Sequence, residues 1–332
     1  MNVVEYIYYA GYRLSRRRGL SKQRQLPHKT ISVGNLTLGG TGKTPLVIAI
    51  AEEAKKYGYF PCILTRGYRG KAKNPVFVSK GDGPLTEYHQ SGDEPYLMAL
   101  RLKGVEIIKG ADRYEAGVMS EGANLFIIDD GFQHWRVKRD IDVVLIDSVS
   151  GFGNGRLFPM GPLREPVSEL RRANVVVLTK SASNGKAVSS DLYRFDRTDT
   201  LKKIEITDHI YKASHRAAYL ITPNGEKLPL NLMTGKRVYA FCGIANPQSF
   251  SDSLKELGAN VLKLKTFRDH YGYKASDIKS IMAQAHSVSA EAIITTEKDL
   301  IKLRNFDNSS LFALGIDFII DDEFYKEILL GI

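Results

Sequence analysis

Cysteine is nearly absent from this chain of 332 residues: Cys62 and Cys242 lie far apart, each inside an apolar stretch. Such thiols are expected to be buried and free in a reducing compartment, with a disulfide or a metal site as the alternative. Long hydrophobic runs are missing as well. No uninterrupted apolar segment reaches bilayer-spanning length, and the N-terminus lacks the apolar core and small-residue cleavage site of a secretion signal. The chain is therefore expected to stay in the cytoplasm. There is no internal repeat or low-complexity tract, and no helix-turn-helix, zinc-finger or RNP signature accompanies the net charge of +10. What remains is a soluble composition, 43% hydrophobic, with enough length for two domains and a substantial core.

Against that background one stretch stands out, ISVGNLTLGGTGKTPLVIAI over residues 31–50. A β-branched run reads as a buried strand, Gly39, Gly40, Thr41 and Gly42 follow, and Pro45 opens an apolar helical pattern. Strand, glycine loop and helix together form a phosphate cradle. Glycines let successive N–H groups face one concavity, and the helix N-terminus adds partial positive charge. Lys43 would reach the β- and γ-phosphates of a nucleotide, and the Thr44 hydroxyl would ligate Mg²⁺. The pattern G-x-x-x-x-G-K-[ST] asks for glycine at position 37, where this chain has Thr37. A glycine-rich turn that merely precedes a helix is the plain alternative.

Short apolar strands alternate with helical patterns after this loop. Strands are expected at 61–65, 76–79, 105–108, 125–128, 143–146 and 175–178, with helices at 94–102, 112–120 and 168–173. That alternation implies an α/β, P-loop NTPase-like fold with a mainly parallel sheet covered by helices, its ligands beyond the carboxyl ends of the strands. Residues 181–214 are more polar and less periodic. Asn224-Gly225 marks a hairpin, and a second, smaller α/β pattern runs from strand 238–241 to strand 292–295. A last strand at 311–320 and a helix at 322–330 follow. The expected organisation is an N-terminal segment (1–28), a P-loop domain (29–215), a hairpin (216–236), a smaller α/β domain (237–308) and a return segment (309–332).

Basic residues are concentrated near the N-terminus. Arg13, Arg16, Arg17, Arg18, Lys22 and Arg24 follow a run containing Val3, Val4, Tyr6, Ile7, Tyr8, Tyr9 and Tyr12. An aromatic, aliphatic helix leading into arginines suits a membrane interface with anionic headgroups. A helix packed on the domain with a solvated basic end is the plainer reading, and nucleic acid the third.

Polar residues just after strands are the candidates for chemistry. Leu125–Asp129 continues into Asp130, a strand delivering carboxylates to its carboxyl end, which makes the pair a Mg²⁺ candidate opposite Thr44. Gln133, His134 and Trp135 follow beside it. A strand ending in Asp is weak by itself, since residues 143–147 do the same. In Gly92-Asp93-Glu94-Pro95, Asp93 reads first as a helix cap, and otherwise as an acceptor for a hydroxyl proton. Arg164 and Glu165 sit between prolines in a glycine- and proline-rich loop, either as a surface ion pair or with Arg164 aimed at the γ-phosphate and Glu165 at a second Mg²⁺ shell. His270 follows a strand of the smaller domain, and the basic loops 66–70 and 109–113 suit an anionic substrate.

Taken in order, Val33–Thr37, Gly39–Pro45, Thr65–Gly70, Gly92–Pro95, Asp129–His134, Gly161–Pro166, Asp269-His270 and Thr296–Asp299 resemble the tetraacyldisaccharide 4′-kinases, the lipid A 4′-kinase family, over most of the chain. A threonine at the position of Thr37 also agrees with that family's loop. The resemblance implies an ATP- and Mg²⁺-dependent lipid kinase, peripheral at the cytoplasmic face of the inner membrane. Its acceptor would be the 4′-hydroxyl of a tetraacylated glucosamine disaccharide 1-phosphate. It also implies roles for individual residues: an Asp93–His270 dyad activating the hydroxyl, and Lys43 and Thr44 in the phosphate loop. Asp129, Asp130 and Glu165 would serve at metal and phosphate with Gln133, His134 and Arg164 beside them, and Tyr68 and Arg113 would lie near substrate. A two-stranded hinge between the domains is implied too. Tyr271 replaces a second His often found in the family, so it receives no catalytic role.

The anionic glycolipid and the membrane surface are thus the expected partners, with no nucleic acid and no obligate protein partner. The rival from another class is a membrane-surface ATPase switch with the loop K-G-G-x-G-K-[ST]. Its signature lysine would fall at Leu38. That mismatch, with Asp93 and Arg164-Glu165, argues against it.

Overall fold

The structure is a computed structural model and describes residues 2–180, 209–303 and 310–331. The chain divides into two compact units, one comprising residues 1–215 and 318–332, the other residues 216–317.

In the first unit, β1 (Lys29–Asn35) is the centre of the sheet. On one side lie β5 (Leu125–Asp129), β2 (Pro61–Thr65), β4 (Glu106–Lys109) and β3 (Val76–Lys80). On the other lie β6 (Ile141–Asp147), β7 (Val175–Thr179) and the start of β8 (Ile210–Ile221). β3 runs antiparallel to β4, whereas the pairings of β1 with β5 and β6, of β2 with β4 and β5, and of β7 with β6 and β8 are parallel. Alternation along each strand serves two faces. Ile31, Val33, Leu125, Ile127, Val143 and Leu145 meet α2 (Lys43–Lys56), α4 (Asp93–Arg101) and α9 (Asp322–Leu330) in one core. On the opposite face Phe126 and Ile128 pack with Leu26, while Val144 and Ile146 pack with Leu36, Phe132 and Leu163. Burying each such side chain contributes roughly 2 kcal/mol.

The expected strands recur within a residue or two of their ends because buried β-branched runs flanked by turn residues are strong local signals. The difference is at β8, which starts at Ile210 inside the stretch read as non-periodic. Lys212, Ser214 and His215 interrupt its apolar run, so the strand is legible only through its pairing with β7. The rest of that stretch, 181–208, lies outside the described residues.

In the second unit β11 (Asn260–Thr266), β10 (Arg237–Cys242), β12 (Ala292–Thr296) and β13 (Leu311–Ile320) are parallel neighbours in that order, and β9 (Lys227–Leu228) pairs antiparallel with β8 across the Asn224-Gly225 turn. Helices α6 (Pro247–Glu256) and α7 (Ala275–Ser287) connect the strands, and two cores form around Val238, Phe250 and Ile294 and around Tyr239, Phe241 and Ile281. Both cysteines are buried and free, and burial pushes their thiols up.

Helix α1 (Val3–Leu20) packs one face on the unit and leaves another exposed. Glu5, Tyr8, Tyr9, Tyr12, Arg16 and Gly19 turn toward the unit, while Val3, Val4, Tyr6, Ile7 and Leu14 remain exposed. Asn2 and Glu5 form its capping box.

Candidate active site

The carboxyl end of β1 opens into the glycine loop. Gly39 and Gly42 take φ of +113° and +90°, which a side chain would resist, and Gly42 caps the start of α2. Thr37 needs no glycine freedom. It pairs antiparallel with Leu163, the Leu38 N–H donates to the Pro162 carbonyl (2.7 Å) and the Arg164 N–H donates to the Leu36 carbonyl (2.7 Å). This short ladder carries Arg164 to the loop.

Four side chains converge there. Lys43 Nζ donates to Asn35 Oδ1 (3.0 Å) and stands 3.5 Å from Asp130 Oδ1. The Arg164 guanidinium grips Asp130 through both oxygens (3.0 and 2.9 Å) and also donates to Asn35. Asn35 in turn donates to the Thr37 carbonyl at 2.9 Å. Two cations are thus shared between one carboxylate and one amide oxygen at the mouth of a glycine loop. The Thr41 hydroxyl, buried in the same loop, has no hydrogen-bond partner among the described residues. An orphaned donor, clustered cations and left-handed glycines fit a nucleotide polyphosphate, and Thr44 stands in the adjoining first turn of α2.

Asp129 and Asp130 are successive residues with opposite environments. Asp129 ends β5, buried, and accepts from Thr65 Oγ1 at 2.9 Å. Burial, reinforced by the charges of Glu94 and Asp130, pushes its carboxyl up to about 7. Asp130 adopts φ +52°, and this left-handed turn brings the second carboxylate to the cations, where strict strand alternation would turn it to the other face. Desolvation opposes its ionisation, but Lys43 and Arg164 outweigh that and hold it well below the usual carboxylate range. Among the described residues no three His, Cys, Asp or Glu side chains form a metal cluster. A divalent ion would therefore draw on Thr44, one or both aspartates and the nucleotide itself.

Glu165, expected at the metal, is fully buried and already engaged: Tyr12 Oη donates to it (3.1 Å), Arg172 donates (2.7 Å) and Gln133 donates to its other oxygen. Burial raises its carboxyl against the pull of Arg172. Gln133 also donates to the Asn35 carbonyl (2.9 Å), so it ties Glu165 to the loop strand. His134 sits beside it, pushed down to about 3 by burial and by Arg113, and is thus neutral at physiological pH.

Around this centre the basic loop 66–70 is packed backbone to backbone against residues 90–92. A side chain at Gly67 would strike the Ser91 carbonyl and one at Gly92 the Tyr68 carbonyl. Buried Lys109 donates to the carbonyls of Ala72 (2.8 Å) and Gln90 (2.9 Å), stapling the two loops. Tyr68 is left exposed on this surface with Arg69 over its ring. Gly92, not Asp93, is the N-cap of α4, and no side chain caps that helix end. Asp93 is its first residue, half-buried. Arg113 is buried, donates to the Ala111 carbonyl (3.1 Å) and feels the charges of Asp129 and Asp130; desolvation lowers it.

In the second unit His270 holds φ +57° and its N–H donates to the Gly243 carbonyl (3.2 Å) beyond the end of β10. Lys298 Nζ lies 3.0 Å from His270 Nε2 and 3.2 Å from Asp269 Oδ1. Asp299 accepts from the Gly243 N–H and the Thr296 hydroxyl, both at 2.8 Å, and so fixes the loop beneath. The motif Thr296–Asp299 is thereby the support of the His270 loop.

Sequence reasoning left Asn35, Thr65, Glu94 and Arg172 without chemical roles. The rule that polar residues ending parallel strands are candidates selects Asn35 and Thr65. Arg172 carries no such local signal.

Comparisons with known proteins agree along the whole chain. The family profile described as tetraacyldisaccharide-1-P 4′-kinase matches residues 1–332. A tetraacyldisaccharide 4′-kinase of Syntrophus aciditrophicus is 41% identical over 305 residues, 89% of this chain and 81% of the relative. One of Halothermothrix orenii is 37% identical over 320 residues, 90% of this chain and 82% of the relative. The crystal structure of an LpxK from Aquifex aeolicus in complex with ATP superposes with a TM-score of 0.75 at 30% identity, covering 99% of this chain and 96% of that one.

Proposed function

The chain belongs to the tetraacyldisaccharide 4′-kinase family and is an ATP-dependent kinase of lipid A biosynthesis; from that premise we propose how its own residues carry the transfer. Lys43 and the loop N–H groups hold the β- and γ-phosphates of ATP, with the Thr41 hydroxyl gaining its missing partner there. Arg164 turns from Asp130 to the γ-phosphoryl group and spreads its charge as the bond loosens. Thr44, Asp129 and Asp130 would hold the metal, Glu165 supporting them through Gln133, and Mg²⁺ would supply charge neutralisation for the phosphates.

Asp93 takes the 4′-hydroxyl proton in partnership with His270. Phosphoryl transfer through a loose transition state asks for positioning more than for a strong base, so an ordinary carboxylate suffices. Tyr68, Arg113, Gln133 and His134 face the acceptor sugar, Arg113 as a permanent cation and His134 as a neutral group. The two-stranded segment formed by β8 and β13 is the hinge between the units.

From the lipid acceptor we infer that the enzyme works at a membrane surface. No helix among the described residues is long and apolar enough to cross a membrane. The exposed Val3, Val4, Ile7 and Leu14 of α1, with Arg13, Arg17 and Arg18, support peripheral docking on anionic lipid at the cytoplasmic face of the inner membrane.

The observation that carries this reading is the convergence of Lys43, Arg164, Asn35 and Asp130 at the glycine loop. Incubation of the purified protein with Mg-ATP and the tetraacylated disaccharide 1-phosphate, read by mass spectrometry, is expected to show one added phosphate on the lipid. ADP release with the lipid mass unchanged would overturn it in favour of an ATPase switch.

A further inference from the structure

The segment that bears Arg164 has little regular structure of its own. From Gly155 to Pro166 it is rich in glycine and proline, and only the short ladder to Leu36–Leu38 and local turns order its backbone. What runs alongside it is α1. Arg156 pairs with Glu5 (2.9 Å), the Arg164 carbonyl accepts from Tyr8 Oη (2.8 Å), Glu165 accepts from Tyr12 Oη (3.1 Å) and Glu169 pairs with Arg16 (2.7 Å). Residues 5, 8, 12 and 16 fall at helical spacing on one face, so a single stripe of α1 lies along the whole segment. The stripe ends at Gly19, which lies so close to Trp135 that an added side chain would meet its Cβ at 2.4 Å.

Tyr8 and Tyr12 meet this segment at the residue that matters and at its neighbour. With the Arg164 N–H on Leu36 and its carbonyl on Tyr8, both backbone groups of that residue are committed. Tyr12 then fixes the next side chain, Glu165, against Gln133 and Arg172.

We propose that Tyr8 and Tyr12 are positioning residues for phosphoryl transfer, holding the Arg164 guanidinium at the phosphate loop, so that α1 is part of the active-site scaffold whatever its outer face touches. This rests on Arg164 acting at the γ-phosphate. Misplacement of a transferring group by an ångström costs up to about a hundredfold in rate, and two lost phenol hydrogen bonds permit part of that.

The test uses the full-length protein and a short-acyl disaccharide 1-phosphate kept monomeric in detergent, where membrane docking has no part. The Y8F/Y12F protein is expected to lose about tenfold in kcat with KM for ATP and for the lipid within about twofold and thermal midpoint little changed. The single Y12F protein is expected to show a smaller loss of the same kind. In an R164K background the two phenylalanines are expected to lower kcat no further, because they act through the residue already perturbed. Wild-type kcat for Y8F/Y12F, a loss confined to the lipid KM, or a fully multiplicative loss in the R164K background would each overturn the proposal. R164A separates the two levels: if it retains the wild-type rate, Arg164 itself has no role, whereas an inactive R164A beside a normal Y8F/Y12F removes the tyrosines alone.

Discussion

The phosphate-loop region of the first unit and the His270 region of the second are built by different means. The first is a set of buried or half-buried charges locked to one another at the ends of parallel strands, with Asn35, Lys43, Arg164 and Asp130 each holding at least one of the others. The second is a histidine on a loop, held in a left-handed turn by the Gly243 carbonyl and flanked by Lys298. A polyphosphate needs several cations preorganised before it arrives, because reorganising them during transfer would raise the barrier. The proposed part of His270 in removing one proton needs only a well-placed ring, which a loop can supply.

The comparison breaks most readily at its two centres. Lys43→Ala is expected to lower phosphorylation of the lipid by about a thousandfold and to weaken ATP binding. His270→Ala is expected to cost about a hundredfold in kcat while ATP affinity, measured by titration with a fluorescent nucleotide, stays at the wild-type value. Adding Asp93→Asn to His270→Ala should cost little more if the two form the proposed proton-handling pair. Equal losses of nucleotide affinity in the Lys43 and His270 variants would erase the division of labour.

A subtler contrast lies within the phosphate region, between Asp129 and Asp130. The folded-state value of Asp129 is raised to about 7, above an unfolded value near about 3.9. Its contribution to stability is therefore complete below the unfolded value and is lost as pH rises through about 7, where a buried carboxylate must ionise. Without nucleotide or metal, Asp129→Asn is expected to raise the thermal midpoint at pH 8 by a few degrees relative to wild type, with the gain shrinking toward pH 5. Asp130 is shifted the other way, so Asp130→Asn should lower the midpoint at pH 8. Identical pH profiles for the two variants would contradict their opposite surroundings.

The smallest effect is expected on the outer face of α1. Val3→Ser with Ile7→Ser should reduce sedimentation with anionic phospholipid vesicles severalfold, leaving the thermal midpoint unchanged because both side chains are exposed. Undiminished vesicle binding would remove that face from the membrane reading.

Much of this molecule is legible without coordinates where the signal is local. The glycine loop, the strands ending in Asp129 and Thr65 and the second α/β pattern rest on periodicity and turn chemistry that neighbouring residues determine among themselves. Glu165 shows what such reasoning does not reach. Its place between prolines says nothing of its hydrogen-bond partners, Tyr12, Gln133 and Arg172, which come from three separate parts of the chain. Helix α1 shows the same limit, since aromatic residues at helical spacing do not say which tyrosines face the domain.

By itself the sequence determined the fold class and the family and marked out the glycine loop, because these depend on which residues follow one another. Only the tertiary structure decided that Thr37 sits in a ladder, that Asp129 and Asp130 titrate in opposite directions and that Tyr8 and Tyr12 reach Arg164 and Glu165. Those facts depend on burial and on charges brought together from distant positions, and electrostatics acts through space rather than along the chain.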